Sequence, residues 1–133
     1  MKVAALCEGR AVILVDDVEA ALIREEDLPD IFEMLSDPEV YRYLFFAPGP
    51  TEVYRCYFGP IIEDTAACIS RGVWPASPTL ILRRMGRFMG MAGLASVPLL
   101  EGNFEVGFQL PREAWGQGLA TCTTRFLVQL AFY

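Results

Sequence analysis

The feature that most constrains this chain is a change of hydrophobic period between Phe104 and Tyr133. Phe104-Glu105-Val106-Gly107-Phe108-Gln109-Leu110 has the length and composition of a buried strand, and Pro111, which lacks an amide donor, stops it. After Pro111-Arg112-Glu113-Ala114-Trp115-Gly116-Gln117-Gly118-Leu119-Ala120 the period lengthens. Leu119, Cys122, Phe126, Leu130 and Tyr133 then fall on one face of a predicted helix. A glycine-bearing turn therefore delivers a strand into a helix N-terminus. The first N–H groups of a helix have no internal partner and carry the positive end of its dipole, which suits a phosphate. Gly116-x-Gly118 alone says less, because a turn can need glycine merely for positive φ or close packing.

The chain, 133 residues, has room for one domain, taken as residues 1–133. At 53% hydrophobic and 12% aromatic it should fold. No apolar stretch reaches the length of a membrane span, and residues 1–10 lack the apolar core of a signal peptide, so no membrane role is expected. Cys7, Cys56, Cys68 and Cys122 are scattered and there is no histidine, so neither a metal site nor a Ser/His/Asp mechanism is expected. Lone thiols fit a reducing cytoplasm. The net charge of −6 argues against nucleic acid, which demands a basic surface. It suits cationic amine substrates, although a solvated acidic surface is the simpler account.

Taken in order, the apolar runs Ala11 to Val15 and Val18 to Ile23 flank an Asp16-Asp17 turn, and one or both should be strands. Asp27 should cap a helix whose buried stripe is Leu28, Ile31, Phe32 and Leu35. Ser36-Asp37-Pro38 ends that helix and starts a short turn. Pro48-Gly49-Pro50 is a loop, and Thr51 should cap a helix to about Ser70 with Val53, Tyr54, Tyr57, Phe58, Ile61 and Ile62 facing one way. Pro60 should kink or split it. Gly72 closes the helical section. Strands at Thr79 to Arg83 and Phe88 to Val97 should meet at Met85-Gly86, with Gly90 and Gly93 marking a bulge or a close backbone approach. Pro98 to Asn103 forms a second hairpin loop.

Glu105-x-Gly107-Phe108-x-Leu110 followed by Trp115-Gly116-Gln117-Gly118-Leu119-Ala120-Thr121 resembles the acyl-coenzyme A motif of the GNAT N-acetyltransferases, most of all their RimJ/RimL branch. The family's Gln/Arg-x-x-Gly-x-Gly/Ala pattern falls on Trp115, Gly118 and Ala120, with Trp115 departing from the usual polar residue. Leu22 to Tyr41 also looks like the N-terminal region of that branch, and the resemblance covers roughly residues 18–133. It favours Glu19 to Arg24 as the first strand. It implies an α+β fold with a mixed, mostly antiparallel sheet flanked by helices. The chain ends at Tyr133, within the apolar run, so the family's later strand, helix and hairpin are expected to be lacking.

The same resemblance implies acetyl-CoA as acetyl donor. Its pantetheine arm would pair with the backbone of Phe108, Gln109 and Leu110, and its pyrophosphate would lie in the turn from Trp115 through Gly116, Gln117, Gly118 and Leu119 to Ala120 and Thr121. Arg112 would add a charge-assisted contact or remain a solvated rim residue. Backbone N–H groups near Phe108, where the family's strand bulges, would hold the developing oxyanion. Glu105 is the candidate base, acting through water, although a strand glutamate pointing to solvent is an equal reading. The family's general acid, a tyrosine beyond this helix, has no counterpart by motif. Tyr41, Tyr43, Phe45 and Phe46 would line the wall of the acceptor groove unless they are ordinary core. The chain thus reads as a cytoplasmic N-acetyltransferase acting on a primary amine, either a protein N-terminus or a small amine. The alternative is a non-catalytic CoA-binding or protein-interaction module. The apolar C-terminal helix and the apolar strand edge at 104–110 predict a homodimer with one or the other in the contact, unless a partner chain supplies the missing half.

Overall fold

Five strands form an antiparallel meander in the computed structural model, which describes residues 2–42, 44, 48–96 and 104–132. β1 (Val12–Val15), β2 (Val18–Leu22), β3 (Thr79–Arg84), β4 (Arg87–Ser96) and β5 (Phe104–Gln109) follow one another across the sheet. Both apolar runs around Asp16-Asp17 are strands. Asp16 takes φ 49° at their turn, a conformation aspartate tolerates better than most side chains. The strand expected from Glu19 to Arg24 is shifted toward the N-terminus, although the Ile23 N–H still donates to the Thr79 carbonyl at 2.9 Å. Met85 and Gly86, at φ 50° and 82°, turn β3 into β4 as a two-residue hairpin requires.

β4 carries a bulge. Leu82 pairs with Gly90 and Arg83 with Phe88, leaving Met89 as the extra residue. Gly90 has φ 139°, and a Cβ on it would stand 2.8 Å from the Gln109 carbonyl oxygen. β5, by contrast, pairs with β4 without interruption from Phe104 opposite Ser96 to Gln109 opposite Met91. The bulge expected near Phe108 is therefore not in β5. Nor is β5 a buried strand: among the described residues it is the last in the sheet, and Phe104, Glu105, Gly107 and Phe108 are all exposed. Apolar composition reports fitness for pairing, while the order of strands in space decides which one ends at the rim. The loop from Pro98 to Asn103 lies outside the described residues.

Alternate residues of β3 feed two cores. Leu80 and Leu82 meet Ala92, Leu94, Leu6 of α1 (Lys2–Cys7), and Leu119, Leu127 and Leu130 of α5 (Leu119–Ala131). Ile81 meets Met91 together with Ile31 and Leu35 of α2 (Leu28–Leu35) and Tyr54 and Phe58 of α4 (Thr51–Arg71). The sheet is thus covered on both faces. Each fully buried leucine or isoleucine contributes about 1.5–3 kcal/mol of hydrophobic stabilisation.

The helices shift several expected stripes. α5 buries Leu119, Thr123, Leu127 and Leu130, while Cys122 and Phe126 are only half-buried and Tyr133 lies outside the described residues. Thr123 can be buried because its hydroxyl donates to the Leu119 carbonyl at 2.6 Å. α4 buries Tyr54, Phe58, Ile62, Thr65 and Cys68, leaving Val53 and Tyr57 exposed. It begins with Thr51 inside the helix and Pro50 at the cap, and it ends at Gly72 with φ 67°. Pro60 does not split it. Both Pro60 and Cys56, whose carbonyl loses its helical donor, are exposed, so water can satisfy that carbonyl.

Asp27 precedes α2 as expected but does not cap it. Its carboxylate accepts the Arg24 N–H at 2.8 Å and the Arg83 Nη2 at 2.8 Å, and Asp30 joins the same Arg83 nitrogen at 2.9 Å. Burial disfavours the Arg83 charge, yet the hydrogen bonds to Asp27 and Asp30 more than offset it and raise the guanidinium pKa. This network ties the start of α2 to β3.

Candidate cofactor site

The site grows from the end of β5. Pro111 leads into a 3-10 turn at Arg112–Ala114, then Trp115, then Gly116 at φ 77° and Gly118 at φ 74°, then α5. Those φ values explain the glycines, since a side chain at either position would be strained. Space above them is open: a Cβ at Gly116 or Gly118 would have no neighbour within 4 Å. Gly118 is the N-cap and supplies no side chain, and the Cys122 N–H makes the first intrahelical bond, to the Gly118 carbonyl at 3.0 Å. The N–H groups of Leu119, Ala120 and Thr121 precede that bond, and no acidic side chain lies in the first turn to compete for them. An anion set there would meet aligned donors and the positive helix end.

Side chains hold the turn from outside. Trp115 Nε1 donates to the Leu110 carbonyl at 2.8 Å, spanning the bend. Gln117 Oε1 accepts from Arg84 Nη1 at 2.8 Å, and its Nε2 donates to the Glu113 carbonyl at 3.0 Å. Arg84 in turn grips Asp17 at 2.9 Å, so the turn is anchored to the hairpin between β1 and β2.

A cavity of about 630 Å³ opens against this junction. Of the residues expected to hold the cofactor, Phe108, Gln109 and Leu110 line it from the strand side, and Trp115, Gly116, Gly118, Leu119, Ala120 and Thr121 line it from the turn and helix. Gln117 is not in the lining, because its amide is drawn outward by Arg84. Arg112 is not in it either. Its guanidinium turns to α3 (Pro38–Tyr41) and forms a two-bonded fork with Asp37, Nε to Oδ2 at 2.7 Å and Nη2 to Oδ1 at 2.9 Å. The Arg112 hydrogen bond is the largest cause holding the Asp37 carboxyl below its ordinary value, and Asp37 reciprocally raises the Arg112 pKa. Glu105 lies exposed on β5 and does not line the cavity.

The opposite wall is the part that sequence reading missed. Glu39, Val40, Arg42 and Leu44, from α3 and just beyond, face the turn across the cavity. Asp37-Pro38 marks a helix start, but nothing in the local sequence says that this short helix faces residues so distant in the chain. Of the aromatics expected to line an acceptor groove, Tyr41 is half-buried against the second core; Tyr43, Phe45 and Phe46 lie outside the described residues. Beside the cavity lies a second one, of about 490 Å³, which shares Val40 and is lined by Asp37, Pro111 and Glu113 among others. Among the described residues, no helix is long and apolar enough to cross a membrane.

Residues 20–133 match the profile of the Acetyltransferase (GNAT) domain. No curated protein matches the chain significantly by sequence. Solved structures do match in fold. A probable acetyltransferase superposes with a TM-score of 0.67 at 20% identity, over 92% of this chain and 66% of its own. The spermidine N-acetyltransferase of Vibrio cholerae, solved with CoA and spermine, gives 0.68 at 14% identity over 87% of this chain and 64% of its own. The Salmonella typhimurium acetyltransferase that modifies the N-terminal serine of ribosomal protein L7/L12 gives 0.66 at 12% identity, over 89% and 65%. The chain thus spans about two thirds of the length of these structures.

Proposed function

Because this chain belongs to the GNAT acetyltransferase family, we propose that it transfers an acetyl group from acetyl-CoA to a primary amine by direct attack. The observation that carries this reading is the cavity at the β5–α5 junction, with two left-handed glycines and a helix N-terminus without a side-chain cap opening on one space. These residues fit the donor. The N–H groups of Gly116, Gln117, Gly118 and Ala120 would hold its pyrophosphate, and the backbone of Phe108 to Leu110 would pair with its pantetheine arm. When bound, acetyl-CoA supplies the activated acetyl group as a thioester. Glu105, on the rim strand, would take the amine's proton through water. The acceptor is a protein N-terminus or a small amine, in the manner of the RimJ/RimL branch. The net charge of −6 supports a cationic acceptor over nucleic acid, and the unpaired thiols support a cytoplasmic setting. The exposed Phe104 and Phe108 on the rim strand support a homodimer.

One observation favours a second reading, in which the chain binds CoA without performing chemistry. Glu105 is exposed and stands outside the cavity lining. Calorimetry with acetyl-CoA, followed by mass spectrometry of an amine panel incubated with protein and donor, separates the two. Binding with acetylated product is the expected result. Binding without product would select the second reading, and absence of binding would overturn both.

A further inference from the structure

We propose that the Asp37–Arg112 pair is a clasp between the two walls of the donor cavity, making both of them positioning residues for the acetyl donor. The proposal rests on the donor-site reading above.

The pair joins the roots of the two walls. Its partners are 75 residues apart in sequence. On one side, Asp37 organises the whole of α3: its carboxylate accepts the Glu39 N–H at 3.1 Å, and its carbonyl accepts the Val40 and Tyr41 N–H groups at 2.9 and 3.1 Å. From there the chain presents Glu39, Val40, Arg42 and Leu44 to the cavity. On the other side, Arg112 opens the 3-10 turn, and its carbonyl accepts the Trp115 N–H at 3.1 Å. Ala114 and Trp115 then present to the cavity from across it.

A helix of four residues cannot stand by its own hydrogen bonds. Its packing is also modest: none of its residues is fully buried. Val40, Tyr41 and Leu44 pack partly buried against the second core, and the two-bonded fork to Arg112 adds the constraint that ties this wall to the turn across the cavity. A planar guanidinium matched to a carboxylate fixes orientation as well as distance, which a lysine's point charge does not. With its fork on Asp37, Arg112 acts on the donor through the wall it holds.

The test uses Asp37→Asn, Arg112→Gln, Arg112→Lys and the Asp37→Asn/Arg112→Gln double variant. Asparagine keeps an acceptor for the Glu39 N–H, so the helix cap survives. In ligand-free protein, amide exchange at Val40 and Tyr41 should quicken about two- to fivefold in each single variant. The double variant should add nothing, while β3 and β4 amides stay unchanged. Acetyl-CoA affinity should fall by the same two- to fivefold in Asp37→Asn and in Arg112→Gln, with Arg112→Lys failing to restore it. If Arg112 instead met a phosphate directly, Asp37→Asn would leave affinity intact or raise it, and lysine would rescue; that result overturns the clasp. Unchanged exchange at α3 also overturns it, as does faster exchange with wild-type affinity. Wild-type protein that binds no acetyl-CoA would sink the donor-site reading instead, while exchange still reports on the clasp.

Discussion

Leu110 closes over Gly90. The bulge in β4 brings the Gly90 backbone beneath the first residue past β5, and Leu110, buried there, also lines the cavity at the β5–α5 junction. One contact therefore joins the sheet's irregularity to the site. A methyl group at Gly90 would meet both the Leu110 side chain and the Gln109 carbonyl oxygen, at a backbone φ of 139° that L-residues rarely adopt. Gly90→Ala should cost about 1–3 kcal/mol in denaturant unfolding and weaken acetyl-CoA binding by displacing Leu110. A wild-type midpoint would show that Leu110 yields freely.

If the turn cradles a pyrophosphate, acetyl-CoA should raise the melting temperature by binding the native state alone. Gly118→Glu places a carboxylate and a strained φ where the phosphate would sit, so the ligand-induced shift should vanish. The left-handed conformation alone should cost about 1–2 kcal/mol, which lowers the starting temperature without abolishing folding. Persistence of the full shift would exclude this turn as the phosphate site.

Glu105 separates chemistry from binding. As the base, Glu105→Gln should slow turnover by roughly 10²–10⁴ with acetyl-CoA affinity unchanged. Because the side chain is exposed, stability should move by no more than about 0.5 kcal/mol. A variant at full speed would assign the proton to water or to an amine already neutral.

Asp37 supplies a pH signature. Its folded-state pKa is depressed, first by the Arg112 hydrogen bond, so its contribution to stability is complete above the unfolded value and is lost as pH falls through the folded one. The gap in melting temperature between wild type and Asp37→Asn should hold steady at neutral pH and close below about pH 4. A gap independent of pH would mean the carboxylate's charge is not what matters.

β5 presents Phe104 and Phe108 at the rim, and α5 leaves Val128 exposed near Phe108. Static light scattering at micromolar concentration should find a dimer that closes this edge. A monodisperse monomer would refute that expectation.

Local chemistry made the β5–α5 junction legible. Pro111 ends pairing, Gly116 and Gly118 can take left-handed conformations, and the apolar period changes between them, all properties of neighbouring residues. The hairpin at Met85-Gly86 and the helix stop at Gly72 were legible for the same reason. Burial was not. Phe104 to Gln109 has the composition of an interior strand, and only the family resemblance pointed to an open edge there; it stands at the rim because no further strand is placed beside it among the described residues. Thr123 replaced Cys122 in the buried stripe because a hydroxyl can satisfy itself on the preceding turn. Arg112 could be read as a phosphate ligand until its fork met Asp37 across 75 residues. Sequence by itself determined where the backbone could turn and where a helix end could offer donors. Tertiary structure alone decided which charges met and what formed the facing wall, since such contacts depend on distances that no local pattern encodes.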